Sequence, residues 1–236
     1  MRGRQGWRLS DLAGYAGLDK GTTHRMLAAL ARERLVQQRA ADHHYLAGPL
    51  IYELGYAVPQ HGAFVQACRP QLQQIARRTR TVAFMYLRSG NDFVCVLREG
   101  RAEVKALTIE LGTRRPLLVS AGGVAMLVAM ERAERQAIVA ENLQRLQHFD
   151  AARRRGLKAM LRRSEQHGCG FNLEDVVPRI NACAVAVRDA AGRPIGSLCV
   201  TGPAQSHPPQ RLRDIVALLR EEVAAIEARA ADMLAG

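Results

Sequence analysis

Apolar and polar positions in the first sixty residues follow a helical period twice and then an extended one. Ser10 can cap a short helix with Leu12, Ala13 and Ala16 on one side, and Gly17 supplies the turn out of it. Asp19 can cap a second helix from Lys20 to about Arg34. There Thr23, Met26, Leu27, Leu30 and Ala31 fall at i, i+3, i+4, i+7 and i+8, one apolar stripe. Thr22, Arg25, Ala29 and Arg32 then lie on another face, flanked by Lys20, Gly21 and His24. Two short helices around a Gly-containing turn, the second with a polar outer face, are what a helix-turn-helix requires. Leu35 to Arg39 and His44 to Ala47 read as extended runs around a polar turn, a hairpin that would form a wing. Leu50, Ile51, Leu54 and Tyr56 suggest a short helix within Gly48 to Val58. Pro59-Gln60-His61-Gly62 then breaks the pattern.

Residues 64–236 mix periods. A helix from about Phe64 to Thr79 carries Val65, Cys68, Leu72, Ile75 and Ala76 on one side. Val82 to Leu87 and Phe93 to Leu97 read as strands around Ser89-Gly90-Asn91-Asp92, a hairpin signature. Val104 to Leu111 is a candidate third strand. Ser120 can cap a helix through Met130, and two further helical runs reach about His167. Ala184 to Val187 and Ile195 to Val200 pair across Asp189 to Arg193, and an amphipathic helix runs from about Pro209 to Met233. The fold class is therefore α+β, with antiparallel hairpins and no β-α-β-α alternation. The expected division is a winged helix-turn-helix domain over 1–58, a linker over 59–63 and a second domain over 64–236.

Composition changes this picture little. The 236 residues are 48% hydrophobic and 24% charged, ordinary for a globular chain, and no apolar run approaches the ~18 residues that span a bilayer. No membrane partner is expected, and a cytoplasmic location is. Lys and Arg outnumber Asp and Glu by 34 to 22, a formal +12 that suits a polyanionic partner such as nucleic acid. Only Lys20, Lys105 and Lys158 of those basic residues are Lys, so a general bias toward Arg weakens the inference. The five cysteines are far apart with no C-x-x-C pair, which argues against a zinc ribbon or a disulfide scaffold. Cys183 and Cys199 lie in apolar runs, as core residues do.

Enzyme signatures are missing from the sequence: no G-x-S-x-G elbow, no phosphate loop, no H-E-x-x-H helix. Cys169 with His167 or His207 could form a nucleophilic pair but has no local signature. No catalytic residue, metal or cofactor is expected. Ser120-Ala121-Gly122-Gly123 opens a helix whose first-turn N–H groups could attract a carboxylate or phosphate; the small residues could equally serve close packing on a sheet.

The run Gly6-Trp7-Arg8-Leu9-Ser10-Asp11-Leu12-Ala13, then Gly17 to Leu27, then Tyr45-Leu46-Ala47-Gly48-Pro49 resembles the winged helix-turn-helix of the IclR (isocitrate lyase regulator) family of bacterial transcription factors. The second half is similar too, through Arg115-Pro116-Leu117 before Ser120 to Gly123, His167 to Phe171, Ala190 to Ile195, and Val200-Thr201-Gly202-Pro203 ahead of a terminal helix.

The resemblance implies a homodimer or homotetramer on double-stranded operator DNA and a GAF-like C-terminal domain that binds a small-molecule effector, expected to be a carboxylate. On the matching positions Thr22, Thr23, His24 and Arg25 would enter the major groove, Lys20 would stand at the helix start, and Arg39, His43 and His44 would touch phosphates from the wing. Ser120, Ala121, Gly122, Glu174, Ala182, Cys199 and Thr201 would line the effector pocket. Leu118 and Val124 stand where the family has His and Lys. Arg179 stands where Gly is usual, and either faces an acidic effector or is solvated. The family also places a full helix ahead of Gly6, where five residues stand here; without it the Met26, Leu27 and Leu30 stripe lacks part of its cover, and the expectation is either a true start upstream of Met1 or a compromised winged domain. The alternative is an enzyme or metabolite-binding protein with a degenerate N-terminal domain that does not bind DNA.

Overall fold

A computed structural model describes residues 6–56, 59–101 and 109–234. The chain divides into two units, Met1–Ala63 and Phe64–Gly236.

In the first unit α1 (Leu9–Ala16) ends on Gly17, whose φ of 67° is the left-handed geometry that the predicted turn needs. Its N-cap is Arg8 with no side-chain cap, so Ser10 lies inside the helix instead of capping it. Helix α2 (Lys20–Arg32) is capped as expected, Asp19 accepting from the Thr22 amide at 2.9 Å. Strands β1 (Val36–Gln38) and β2 (Tyr45–Ala47) form the antiparallel wing, and Trp7 adds a bridge to Tyr45 through paired backbone hydrogen bonds. Helix α3 (Pro49–Tyr56) follows. The expected pattern break at 59–62 is helical instead: α4 runs Pro59–Thr79, because a proline in the first turn of a helix has no intrahelical hydrogen bond to lose.

The second unit is built on one antiparallel sheet of β3 (Val82–Ser89), β4 (Asp92–Glu99), β5 (Arg114–Pro116), β6 (Gly170–Leu173), β7 (Ile180–Arg188) and β8 (Pro194–Pro203), in the spatial order β5-β4-β3-β8-β7-β6. The expected strand from Val104 falls mostly outside the described residues, and β5 and β6 were not read as strands from the sequence. Alternation along each strand feeds two cores. Ala83 and Met85 of β3, Cys183 of β7 and Leu198 and Val200 of β8 pack with Leu72 and Ile75 of α4 and with Leu212 and Leu219 of α8 (Pro209–Leu234). Val82, Phe84 and Tyr86, Ala182 and Ala184, and Cys199 face the other way. They meet a 3-10 turn (Leu117–Val119), α5 (Ala121–Val128), α6 (Arg132–Arg145) and α7 (Ala151–His167). Leu118 and Val124 are both fully buried in this second core, so the two departures from the family pattern serve packing.

Candidate functional site

Helix α2 presents its polar residues outward. Only Thr23 and Leu27 are buried along it, while Lys20, His24, Arg25 and Arg32 are exposed and Thr22 is half-buried. Arg25 donates through Nη2 to Thr22 Oγ1 at 3.3 Å, one turn back on the same face. Thr23 departs from the expected set: it is buried, and its hydroxyl donates to the Asp19 carbonyl at 2.8 Å, so it anchors the start of α2 and does not reach the outer face. The predicted apolar stripe is narrower than its spacing suggested, since Met26 is 53% and Leu30 38% exposed.

At the wing turn Arg39 forks onto Asp42, and Asp42 Oδ1 also accepts from the His44 amide at 3.3 Å. The His44 ring lies 3.0 Å from Asp42, and His43, with a left-handed φ of 57°, is exposed. The Arg39 guanidinium holds the Asp42 carboxyl well below the usual carboxylate range. The wing therefore carries a basic side chain whose charge is already partnered.

The second unit holds a cavity of about 300 Å³ between the sheet and the helical layer of the second core. Tyr86, Asn172, Ile180, Ala182, Cys199 and Thr201 line it from the strands, Val119, Ser120 and Ala121 from the approach to α5 and its first residue, and Val176 and Val177 from the β6–β7 connection. Ile109, Arg115 and Arg153 complete it. Ser120, Ala121, Ala182, Cys199 and Thr201 were named from the sequence and come together here; Gly122 and Glu174 are not among its walls. Gly122 is instead a packing glycine: a Cβ there would sit 2.3 Å from the Tyr86 ring, and one on Gly123 2.0 Å from the Leu117 carbonyl. Ser120 Oγ accepts from the Gly123 amide at 3.0 Å, so of the two uses open to this small-residue turn, close packing accounts for both glycines. Glu174, at a left-handed φ of 60°, accepts from the Arg179 amide at 2.7 Å and closes the β6–β7 turn. Arg179 itself sits at φ 62° with its side chain exposed, which is the conformation that glycine adopts without cost.

Burial pushes the Cys199 thiol up to about 11 and raises the Tyr86 hydroxyl as well. Cys199 Sγ lies 3.6 Å from Thr201 Oγ1. Sequence reasoning missed Tyr86, Asn172 and Arg153 in this wall, and took Arg115 only as part of a motif. Among the described residues no group of three or more His, Cys, Asp or Glu is placed to hold a metal ion, and no helix is long and apolar enough to cross a membrane.

Residues 57–228 match the family described as bacterial transcriptional regulator IclR C-terminal, and residues 1–40 match the IclR helix-turn-helix domain. The chain belongs to the IclR family. A curated relative, the HTH-type transcriptional repressor AllR of Salmonella paratyphi A, is 25% identical over 199 residues, covering 83% of this chain and 72% of its own. The crystal structure of an IclR family transcriptional regulator from Brucella abortus superposes with a TM-score of 0.74 at 25% identity, over 94% of this chain and 84% of that one. An IclR homolog from Microbacterium hydrocarbonoxydans, solved in complex with 4-hydroxybenzoate, superposes with a TM-score of 0.71 at 19% identity, over 97% and 91%. This IclR chain is thus a transcriptional regulator with a DNA-binding helix-turn-helix, not an enzyme, and its α+β architecture is the family's.

Proposed function

We propose that this IclR-family regulator binds operator DNA as a homodimer or homotetramer and changes its affinity when the cavity of its second unit takes up a small carboxylate. Thr22, His24 and Arg25 of α2 read base edges, Lys20 holds a phosphate near the helix start, and Arg39, His43 and His44 of the wing follow the backbone. Ser120, Ala121, Ala182, Cys199 and Thr201 contribute to the ligand wall. The observation that carries the reading is the pairing, in one chain, of an α2 face with Lys20, His24, Arg25 and Arg32 all exposed and a walled cavity fed by two arginines. The bound 4-hydroxybenzoate of the Microbacterium homolog lends support to the effector class. Residues 1–58 would act as the DNA-binding domain and 64–236 as the sensor.

The test is a titration of fluorescently labelled duplexes from the DNA upstream of the gene with full-length protein, at fixed salt, with and without a panel of carboxylic acids, and with sedimentation to count subunits. Saturable binding by an oligomer, shifted by at least one acid, is expected. Binding that equals random DNA, or that no acid shifts, would overturn the reading.

A further inference from the structure

Helix α7 carries an excess of positive charge that neither the cavity nor the winged domain uses. We propose that its outer face, through Arg154, Arg155, Lys158 and Arg162, is a second DNA surface, which grips backbone phosphates without reading sequence and acts in addition to the α2 face.

Over Ala151–His167 the helix has six Arg and Lys against one acid, Glu165. A chain-wide preference for Arg does not account for this: α6 sets Arg132, Arg135 and Arg145 against Glu134 and Glu141, and the α8 sequence has four Arg against five Asp and Glu. Two of the six α7 cations are engaged. Arg153 lies 3.9 Å over the Phe149 ring and lines the cavity, and Arg163 pairs with Asp175 at 2.7 Å. Glu165 is committed to Arg135 of α6, 3.2 Å away. The other four side chains make no ion pair or hydrogen bond among the described residues; Arg155, Lys158 and Arg162 are exposed and Arg154 is half-buried. Helical geometry puts these four within about 100° of one another around the axis, with Arg154, Lys158 and Arg162 one turn apart at steps of about 6 Å. Leu157, Met160 and Ser164 meet the core from another side.

This arrangement works against the helix that carries it. Three arginines follow directly on its first two residues, where the free N–H groups already make the terminus positive and, apart from the Asp150 cap, no acid offsets them. Like charges at i and i+4 repel as well. A face shaped for helix stability alone would have acids early and cations late. A row of anions laid along it relieves both penalties, and duplex phosphates supply such a row. No aromatic or large aliphatic residue falls within the basic arc, so the face lacks the apolar anchor that a lipid surface or a protein partner takes. Arg predominates, and its fork suits phosphate. Contacts of this kind hold a protein on DNA without specifying bases.

Titration of a random-sequence duplex with the full chain over a range of salt tests this. The triple variant Arg154→Gln, Lys158→Gln, Arg162→Gln is compared with a charge-matched control, Arg77→Gln, Arg80→Gln, Arg101→Gln, at exposed positions of the same unit. The α7 variant should bind about tenfold more weakly, and its log K should depend less steeply on log salt, by about 0.9 for each phosphate given up, whereas the control should move little. Gln has a helix propensity close to that of Arg and Lys, so both variants should melt with the native chain. A second measurement needs no variant: saturating duplex should protect Lys158 of the native chain from acetylation, read by mass spectrometry. Unchanged affinity and salt slope in the α7 variant, an equal loss in the control, or Lys158 acetylated as fast with DNA as without it would each overturn the proposal. So would an α7 variant that keeps its DNA binding but loses binding to phosphatidylserine vesicles or to polyglutamate, which would give the face to a lipid surface or an acidic protein.

Discussion

Arg39 closes a forked ion pair on Asp42 at the turn of the wing, with Nε 2.8 Å from Oδ1 and Nη2 2.6 Å from Oδ2. The two residues are three apart, and the geometry satisfies both carboxylate oxygens from one guanidinium. A basic wing residue so engaged offers DNA less than its formal charge suggests.

Asp42→Asn should therefore strengthen binding to cognate and random duplex alike, severalfold at low salt, and steepen the dependence of log K on log salt by up to about 0.9 as Arg39 gains a phosphate. Arg39→Ala should weaken both duplexes about equally. The sign of the pH effect follows from the depressed carboxyl: its contribution to wing stability is present above the unfolded-state value and is lost only as pH falls through the lower folded one. Between about pH 5 and 8 Asp42 should contribute no titration to DNA binding. Equal affinities and equal salt slopes for Asp42→Asn and the native chain would show that Arg39 does not reach phosphate.

Arg25 should behave differently, because it projects from the exposed face of α2, where it donates to Thr22 Oγ1 and makes no ion pair among the described residues. If it holds a guanine edge, Arg25→Ala costs about 1 to 3 kcal/mol on the cognate site and much less on random DNA. Competition titrations on both duplexes measure the difference. A loss of the same size on both would assign Arg25 to the backbone.

How far the sequence carried this far depends on what each position had to satisfy. Asp19, Gly17 and Ser120 were legible because capping and left-handed turns demand particular residue types, and all three perform as local chemistry predicts, Ser120 on the Gly123 amide. Helical spacing alone overextended the α2 stripe: Thr23 and Leu27 meet partners, whereas Met26 and Leu30 point where no described residue covers them fully. The cavity was half legible. Family order brought in Cys199 and Thr201, but Asn172 and Arg153 lie on β6 and α7, and nothing in their local sequence marks a side chain that tertiary packing turns toward one void. Glu174 was misplaced because its left-handed backbone and its bond to the Arg179 amide occupy it in the turn.

The thiols give a test of burial that needs no ligand. All five cysteines are free and buried, and desolvation pushes Cys95 up to about 12 and Cys199 up to about 11. A raised thiol value leaves little thiolate at neutral pH, so the native chain should react with dithiobis(nitrobenzoate) far more slowly than it does in denaturant. For thiols reached without unfolding, the rate should climb about tenfold per pH unit through the neutral range. Reaction of the native chain at the rate of a free thiol at pH 7.5 would contradict the burial of these residues.

Gly122 carries the clearest steric prediction. A Cβ added there would lie 2.3 Å from Tyr86 Cδ2 and 2.9 Å from Ser197 Oγ. Tyr86 has little room to retreat, because it is fully buried between Phe84 and Phe93, with ring centroids 5.7 and 4.5 Å away. Overpacking of this kind costs about 1 to 3 kcal/mol, and the contact is close enough to place Gly122→Ala toward the upper end, against a helix-propensity gain of about 1 kcal/mol from replacing glycine. The net loss should lower Tm by several degrees in a chain of this size. Because Tyr86 also lines the cavity, any displacement of its ring narrows the ligand space, so affinity for a bound acid should fall as well. Gly14→Ala is the control: nothing lies within 4 Å of a Cβ at that position in α1, and the same propensity gain should leave Tm unchanged or slightly higher. If both variants melt together at or above the native chain, Tyr86 has space that the packing of α5 on β3 denies it, and the close-packing role of Gly122 is wrong.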